Sequence, residues 1–320
     1  MATSEVARGP TEPPGIEPSA PRLRSARGPS HRGFWGAFPF VLPSIIVIVA
    51  VVGFPIIYAG WLSFTDFRLL APDTSFTGLQ NYQAVFSDQL FWHSLRNTLL
   101  FLLVTVNGSF LLGLLTAELV ARMTRGQGAL RVLIMTPMMF APVLVGFQFR
   151  WFYNAQVGLI NNIMVDLNLI TDRIPWLVER ATALFAVMTA DMWMNTPIVA
   201  IILLAGRLSL PTDLEEAAKI DGASAWQTFR LVILPQLMPF VYIALVIRSL
   251  DVARAFDIVQ IMTGGGPANR TELLWTYIYR TAMQDGRFGV GAAMSYLTII
   301  ITIAVVAFLF RQLIKARVIR

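Results

Sequence analysis

Charged residues recur at every third position near the end of a long apolar segment. They alternate in sign: Arg248, Asp251, Arg254 and Asp257. Because residues three apart lie on nearby faces of a helix, the spacing predicts a ladder of ion pairs. Charges at membrane depth usually pair with each other or face an aqueous path. The group is therefore either a structural ladder or part of a path for a polar solute. For such a path, Asp251 and Arg254 are the first candidates, with Asp257 nearer the outer mouth.

A second apolar segment carries an aromatic ring and an amide beside a proline. Asp191, Trp193, Met194 and Asn195 precede Pro197, which cannot donate to the helical ladder and is expected to kink the helix. Sugars suit such a pairing, because their C–H faces stack on rings and their hydroxyls need neutral donors and acceptors. The alternative is that Trp193 packs within the bundle and Asp191 bonds a neighbouring helix.

The composition excludes several classes of protein. Of the 320 residues, 56% are hydrophobic and 14% are charged, and the mean hydropathy is +0.62. Soluble domains carry about 25% charged residues, so this chain is not expected to be a water-soluble globule, a disordered protein or a nucleic-acid binder. It has no cysteine, and its two histidines, His31 and His93, lie in separate segments. We therefore expect no metal and no cofactor bound by this chain.

Six segments are long and apolar enough to cross a membrane, since a bilayer core of about 30 Å needs about 20 such residues in a helix. They are Gly36–Leu62, Thr98–Ala121, Leu130–Phe152, Ala181–Gly206, Gln236–Met262 and Gly289–Phe310. Two prolines five apart, Pro137 and Pro142, predict a break in the third segment. The chain is thus expected to be an all-α membrane protein.

The distribution of arginine and lysine among the loops predicts the orientation of these segments. Fifteen of them fall in segments 1–33, 122–131, 207–235 and 311–320, against six in 63–95, 153–180 and 263–288. Cytoplasmic loops carry the excess of positive charge. Both termini should therefore be cytoplasmic, as six spans require. Residues 1–33, rich in proline and glycine, predict a disordered cytoplasmic tail whose arginines could meet anionic lipid, followed by a six-span domain over 34–320.

The loop over 207–235 predicts two short helices joined by an elbow. Thr212 or Asp213 could cap the first helix, Gly222 should break it, and Pro235 should end the second. The small and aromatic residues of this loop suit either the docking of another protein or packing against the loop's own bundle.

The spacing within this loop resembles the EAA motif of ABC importer permeases. Glu216-Ala217-Ala218 is followed by Gly222 and then by Val232-Ile233-Leu234-Pro235, with Val232 in a position where the family has isoleucine. We call residues 207–235 the EAA loop. In that family the loop inserts into a cytoplasmic ATPase and couples it to the membrane channel. The resemblance assigns seven residues to ATPase coupling: Glu216, Ala217, Ala218, Asp221, Gly222, Leu234 and Pro235.

The resemblance covers the chain from about Phe34 onward. Thr263-Gly264-Gly265-Gly266-Pro267 is similar to a segment of carbohydrate-type, maltose-permease-like members. The family resemblance implies type I importer architecture in a bacterial inner membrane, and it implies substrate contacts near Met138 and after Trp193. It also implies three partners: a cytoplasmic ATPase dimer that binds ATP and Mg, a second and non-identical permease, and an extracytoplasmic solute-binding protein.

No phosphate-binding G-x-x-x-x-G-K-[ST] sequence occurs, so we expect no enzymatic activity of the chain's own. An ion-coupled secondary transporter remains the alternative, with Asp191, Asp251 and Asp257 as proton carriers. The solute could be a sugar, an oligosaccharide, a polyol or a glycerol phosphate.

Overall fold

The computed structural model describes residues 31–71, 75–179 and 182–318. Within these ranges the regular structure is helical, with two isolated β-bridges, Thr65–Phe76 and Arg68–Arg287. The expectation of a tail over 1–33 falls mostly outside the described residues, which begin with a helix at His31. The chain divides into two compact units, residues up to Pro55 and residues from Ile56 onward.

The first unit is helical throughout its described part. Helix α1 (His31–Ile48) leads through a π-helical turn, Val49–Gly53, into α2 (Phe54–Leu62), whose later residues belong to the second unit. The helix from Phe38 to Leu62 is long and apolar enough to cross a membrane.

The second unit contains the remaining helices of the described chain. In chain order they are α3 Gln80–Ser87, α4 Gln89–Ala121, α5 Gln127–Met135, α6 Pro142–Phe152, α7 Leu159–Asp166, α8 Ala183–Leu208, α9 Asp213–Ile220, α10 Ala225–Thr228, α11 Leu234–Val252, α12 Asp257–Met262, α13 Leu274–Tyr279 and α14 Phe288–Val318. Besides the helix of the first unit, four long helices are apolar enough to cross a membrane: Gln89–Ala121, Ala183–Leu208, Ala225–Val252 and Phe288–Phe308.

The predicted third span is a broken helix. Helix α5 and the 3₁₀ turn Thr136–Met139 meet α6 at 91°, and the pair would be a sixth span if it crosses the membrane as one unit. Pro137 lies in the first turn of the 3₁₀ segment and Pro142 begins α6. Both prolines therefore sit where a helix starts and no backbone donor is needed.

The predicted fifth span, Gln236–Met262, has the wrong boundaries. The helix that contains most of this span begins at Ala225 and ends at Val252. Its end is stabilised from outside the helix, because the indole Nε1 of Trp275 donates to the carbonyl oxygen of Ala253 at 2.7 Å. Residues Asp257–Met262 form the separate helix α12.

Helices α4 and α8 pack closely along their length because small residues line the contact. A Cβ atom placed on Gly113 would lie 2.8 Å from Val199 Cγ1 and 3.0 Å from the backbone nitrogen of Ala200. Small residues of this kind let membrane helices approach each other. A buried apolar cluster including Val199, Leu203 and Leu237 ties this pair to α11.

Gly113→Ala should lower the stability of the protein, although alanine normally stabilises a helix. The added methyl group would overpack the contact with α8 and cost about 1–3 kcal/mol. Gly128→Ala in α5 is the matched control, because no atom lies within 4 Å of the position that its methyl group would take, and it should gain up to about 1 kcal/mol. Thermal unfolding in detergent measures both. Equal rises in the unfolding midpoint would contradict the close packing.

Candidate functional site

Two neighbouring cavities open beside α8 and α11, with volumes of about 620 and 240 Å³. Four lining residues are common to both: Met194, Asn195, Asp251 and Arg254. The larger cavity also borders Met138 and Arg248, and the smaller one borders Asp191 and Asp257. The structure therefore brings seven of the eight predicted path residues to one connected region.

Arg248 joins three helices at the wall of these cavities. Its side chain is 1% exposed and forms ion pairs with Asp191 of α8 and with Asp251, the latter at 2.8 Å between Nη1 and Oδ2. Its Nε donates to Ser109 Oγ of α4 at 3.4 Å. Asn195 donates to Asp191 Oδ1 at 3.2 Å, so this carboxylate has two partners.

The predicted ladder forms only in part. Arg254 Nη2 lies 3.4 Å from Asp251 Oδ1, but Arg254 follows the end of α11 and its side chain is 77% exposed. Asp257 begins α12 and has no ion pair within the described chain. The expectation of one continuous helical ladder is thus wrong, because the helix breaks between its second and fourth members.

Trp193 lies outside the lining of both cavities. Its ring packs against Phe149 with centroids 5.3 Å apart. This agrees with the alternative that Trp193 packs within the bundle. Helix α8 continues through Pro197, and Thr196 Oγ1 donates to the carbonyl of Met192 at 2.7 Å. Met138 lines the larger cavity as an apolar side chain.

Trp275 is an aromatic lining residue that the sequence analysis missed. It borders the larger cavity, and its indole nitrogen holds the end of α11. Its position just after the glycine-rich segment could have drawn attention to it, but 24 residues separate it from Asp251 in the sequence. The sequence showed that Arg248 is a charged residue in an apolar segment. It did not show that this guanidinium is the cation that joins three helices.

The residues that follow the glycine-rich segment 263–267 are hydrogen-bonded to α4. Asn97 Nδ2 of α4 donates to the carbonyls of Arg270 and Glu272 at 2.9 and 3.0 Å. Glu272 is buried and lies 2.8 Å from Arg280. Burial raises the pKa of the Glu272 carboxyl, while its bond to Thr276 and the charge of Arg280 oppose that shift. Gly265, with φ +85°, leaves room for this carboxylate.

The EAA loop forms the predicted elbow. Helix α9 ends at Ile220, Gly222 adopts φ +77°, and the N–H of Ala223 donates to the carbonyl of Ala218 at 2.9 Å. This is a glycine-terminated helix end. Thr212 holds the N-cap position of α9 without a side-chain capping bond, and Ser224 caps α10 through a capping box with Gln227.

The second helix of the loop does not end at Pro235. Helix α10 runs through a π-helical turn, Phe229–Ile233, into α11, and Pro235 lies in the first turn of that helix. The missing N–H of a proline is tolerated there. Leu234 and Pro235 thus form the base of a membrane helix rather than the end of a surface helix.

The seven residues assigned to coupling differ in exposure. Glu216, Ala217, Asp221, Gly222 and Pro235 are exposed, Ala218 is buried, and Leu234 is half-buried. Large apolar side chains beside them are also exposed, among them Ile220 (86%), Trp226 (66%) and Leu231 (69%). The rings of Trp226 and Phe229 stack at 5.7 Å. An exposed apolar surface of this kind suits contact with another protein or with lipid.

Several apolar helices around charged cavities are typical of a membrane transport protein. Residues 109–320 match the model of the family described as "binding-protein-dependent transport system inner membrane component". The chain belongs to this family and is a multi-pass protein of the inner membrane.

Two relatives are similar over most of their length. The chain is 34% identical over 264 residues to the trehalose/maltose transport system permease protein MalF of Thermococcus litoralis, covering 82% of this chain and 88% of that protein. It is 36% identical over 282 residues to the trehalose transport system permease protein SugA of Mycobacterium tuberculosis, covering 88% of this chain and 89% of that protein. These relatives are permease subunits of transport systems.

A solved structure has a similar fold. A chain of a bacterial ABC transporter involved in the import of the acidic polysaccharide alginate superposes with a TM-score of 0.77 at 21% identity, covering 89% of this chain and 96% of that one. The same kind of transporter has been solved in complex with an alginate pentasaccharide-bound periplasmic protein. The described part of this chain therefore shares the fold of a chain of that ABC transporter.

Proposed function

We propose that this chain is a permease subunit of an ATP-driven importer for a neutral carbohydrate, such as a disaccharide. The exposed elbow of the EAA loop carries the proposal, since it lies at the base of the helices that wall the polar cavities. The names of the relatives support a carbohydrate as the solute.

The charges of the cavities favour a neutral solute. Two guanidinium groups face three carboxylates: Arg248, Arg254, Asp191, Asp251 and Asp257. Both cations already have a carboxylate partner, through Asp191 and Asp251. An anionic solute such as a glycerol phosphate would need a free cation, whereas sugar hydroxyls can bond Asn195 and the carboxylates.

In this proposal the broken helix α5–α6 completes six spans, and the positive charges place both termini and the EAA loop in the cytoplasm. The partners are a cytoplasmic ATPase dimer, a second related permease and an extracytoplasmic solute-binding protein. ATP and Mg bind the ATPase, and this chain holds no cofactor and carries out no chemical step.

Affinity purification of the tagged chain in mild detergent, followed by mass spectrometry, tests the partners. Recovery of an ATPase and a second, different permease would support the proposal. Recovery of the chain alone, together with uptake in vesicles driven by an ion gradient without ATP, would overturn it in favour of a secondary transporter.

Asp251→Asn should lower trehalose uptake about tenfold. The change removes the charged partner of Arg254 and one of the two carboxylate partners of Arg248, so the cavities lose their excess of negative charge and a charged acceptor for hydroxyls. A hydrogen bond to a charged group contributes about 1.5–3 kcal/mol. Uptake of labelled trehalose into vesicles measures the effect, with Asp166→Asn, at an exposed acid that ends α7, as the control. Undiminished uptake by Asp251→Asn would remove Asp251 from the path.

A further inference from the structure

An ion network joins the ends of α4 and α8 to α9. Arg207 Nε donates to Glu118 Oε1 at 3.1 Å, and Arg207 Nη2 donates to a carboxylate oxygen of Glu215 in the first turn of α9. The side chains of Arg207 and Glu118 are each 11% exposed, and that of Glu215 is 30% exposed. One largely buried guanidinium thus bridges carboxylates on two different helices.

Glu118 depends on Arg207 for its charge balance. Its second oxygen is buried and accepts no hydrogen bond from the described residues. The nearest other cation is Arg122, 3.7 Å away, and this side chain is 58% exposed. A buried carboxylate that loses its close partner is strongly destabilised. The ion pair between Glu118 of α4 and Arg207 of α8 should therefore stay intact while these helices move.

Neighbouring acids in α9 have different surroundings. Glu216, the first residue of the EAA motif, is exposed, whereas Glu215 is half-buried against Arg207. Two adjacent residues on a helix point in different directions. Glu216 is thus available to another protein, while Glu215 attaches the same turn of helix to the bundle.

Both helices held by the network also contact the cavity cation. Along α8, Arg207 is 16 residues from Asp191, roughly 24 Å at the rise of an α-helix. Glu118 and Ser109 both lie on α4. Asp191 and Ser109 both bond Arg248. A displacement of α9 that reached α4 and α8 would therefore reach the wall of the cavities.

We propose that Glu118, Arg207 and Glu215 form the rigid link through which the motion of the EAA loop reaches α4 and α8. They are positioning residues that act through the loop and do not contact the ATPase. This inference rests on the proposed function, in which an ATPase moves the loop. Coupling of this kind travels through packed helices and ion networks.

The first test needs no partner. The chain has no cysteine, so Lys219→Cys places a single spin label on α9 of the full chain in nanodiscs. With Glu215→Gln the label should become measurably more mobile, because the bond to Arg207 is weakened. Asp213→Asn is the matched control: it makes the same change in the same turn at an exposed acid without an ion pair within the described chain, and the label should not change.

The second test uses the complete transporter in proteoliposomes. Glu215→Gln should keep its ATPase and hydrolyse ATP at close to the normal rate, yet import at least threefold less trehalose per ATP, while Asp213→Asn keeps the normal ratio. Arg207→Lys should resemble Glu215→Gln, because one ammonium group cannot reproduce the two-sided bonding of the guanidinium.

The two tests distinguish a failure of the proposed link from a failure of the proposed function. An unchanged label and an unchanged ratio for Glu215→Gln would overturn the link, as would loss of the bound ATPase, which would make Glu215 a docking residue. Lower thermal stability with a normal ratio would reduce the network to a structural role. If the unaltered chain binds no ATPase, the proposed function fails, and the label still reports whether Glu215 holds α9.

Discussion

Arg248→Met should abolish transport and destabilise the protein more than any other single change in the cavity wall. Methionine fills a similar space but leaves Asp191 buried without its main partner. Removing one member of a buried ion pair costs about 3–5 kcal/mol. It also frees α4, α8 and α11 from their shared contact at this point. Thermal unfolding in detergent and vesicle uptake measure the two effects.

Arg254→Met is the matched control for stability. It removes the same charge from the same cavities, but its side chain is 77% exposed, and exposed pairs contribute about 0–1 kcal/mol. The double variant Arg248→Met with Asp191→Asn should recover part of the lost stability, because no buried carboxylate remains at position 191. A double variant as unstable as Arg248→Met, or equal effects of the two arginine changes, would contradict the role of Arg248 as the central buried cation.

Gly222→Val should lower uptake at least tenfold. The elbow needs φ +77° at this position, where a non-glycine residue costs about 1–2 kcal/mol and a β-branched one is rare. The valine would therefore redirect α9 relative to α10 and misplace Glu216. A Cβ at position 222 meets no atom within 4 Å, so the effect would come from the backbone and not from a clash.

Gly126→Val provides a close control. Gly126 has φ +79°, also has no atom within 4 Å of a Cβ, and precedes α5 in another loop that carries positive charges. Both variants should lose similar stability, but only Gly222→Val should lose uptake and binding of the ATPase. Equal losses of uptake in the two variants would mean that general strain, and not the geometry of the elbow, accounts for the result.

The sequence predicted the limits of one membrane helix to within two residues. Helix α8 was expected over Ala181–Gly206 and occupies Ala183–Leu208. The fifth helix was placed wrongly at both ends. Its end at Val252 is stabilised by the bond from Trp275, a contact from outside the helix that leaves no local signal in the sequence. Its start lies before Pro235 because a π-helical turn joins α10 to α11.

The sequence indicated which residues belong to the candidate site. It gave much less information about which of them form ion pairs. Asp251 and Arg254 were found because charges at membrane depth are rare. The pair of Arg248 with Asp191 spans 57 residues, and no local pattern indicates it. Glu118 is not among the residues that the sequence singled out, since its partner Arg207 lies 89 residues away. The elbow at Gly222 was predicted correctly because a glycine after a short helix is a local signal.

Uptake by the purified complex in proteoliposomes distinguishes an ATP-driven importer from a secondary transporter. The vesicles contain ATP and Mg inside, and labelled trehalose with the solute-binding protein outside. We predict uptake that requires ATP, that Gly222→Val in this chain lowers at least tenfold, and that excess glycerol 3-phosphate does not inhibit. Uptake that proceeds without ATP along an ion gradient would contradict the proposed coupling of this chain to an ATPase.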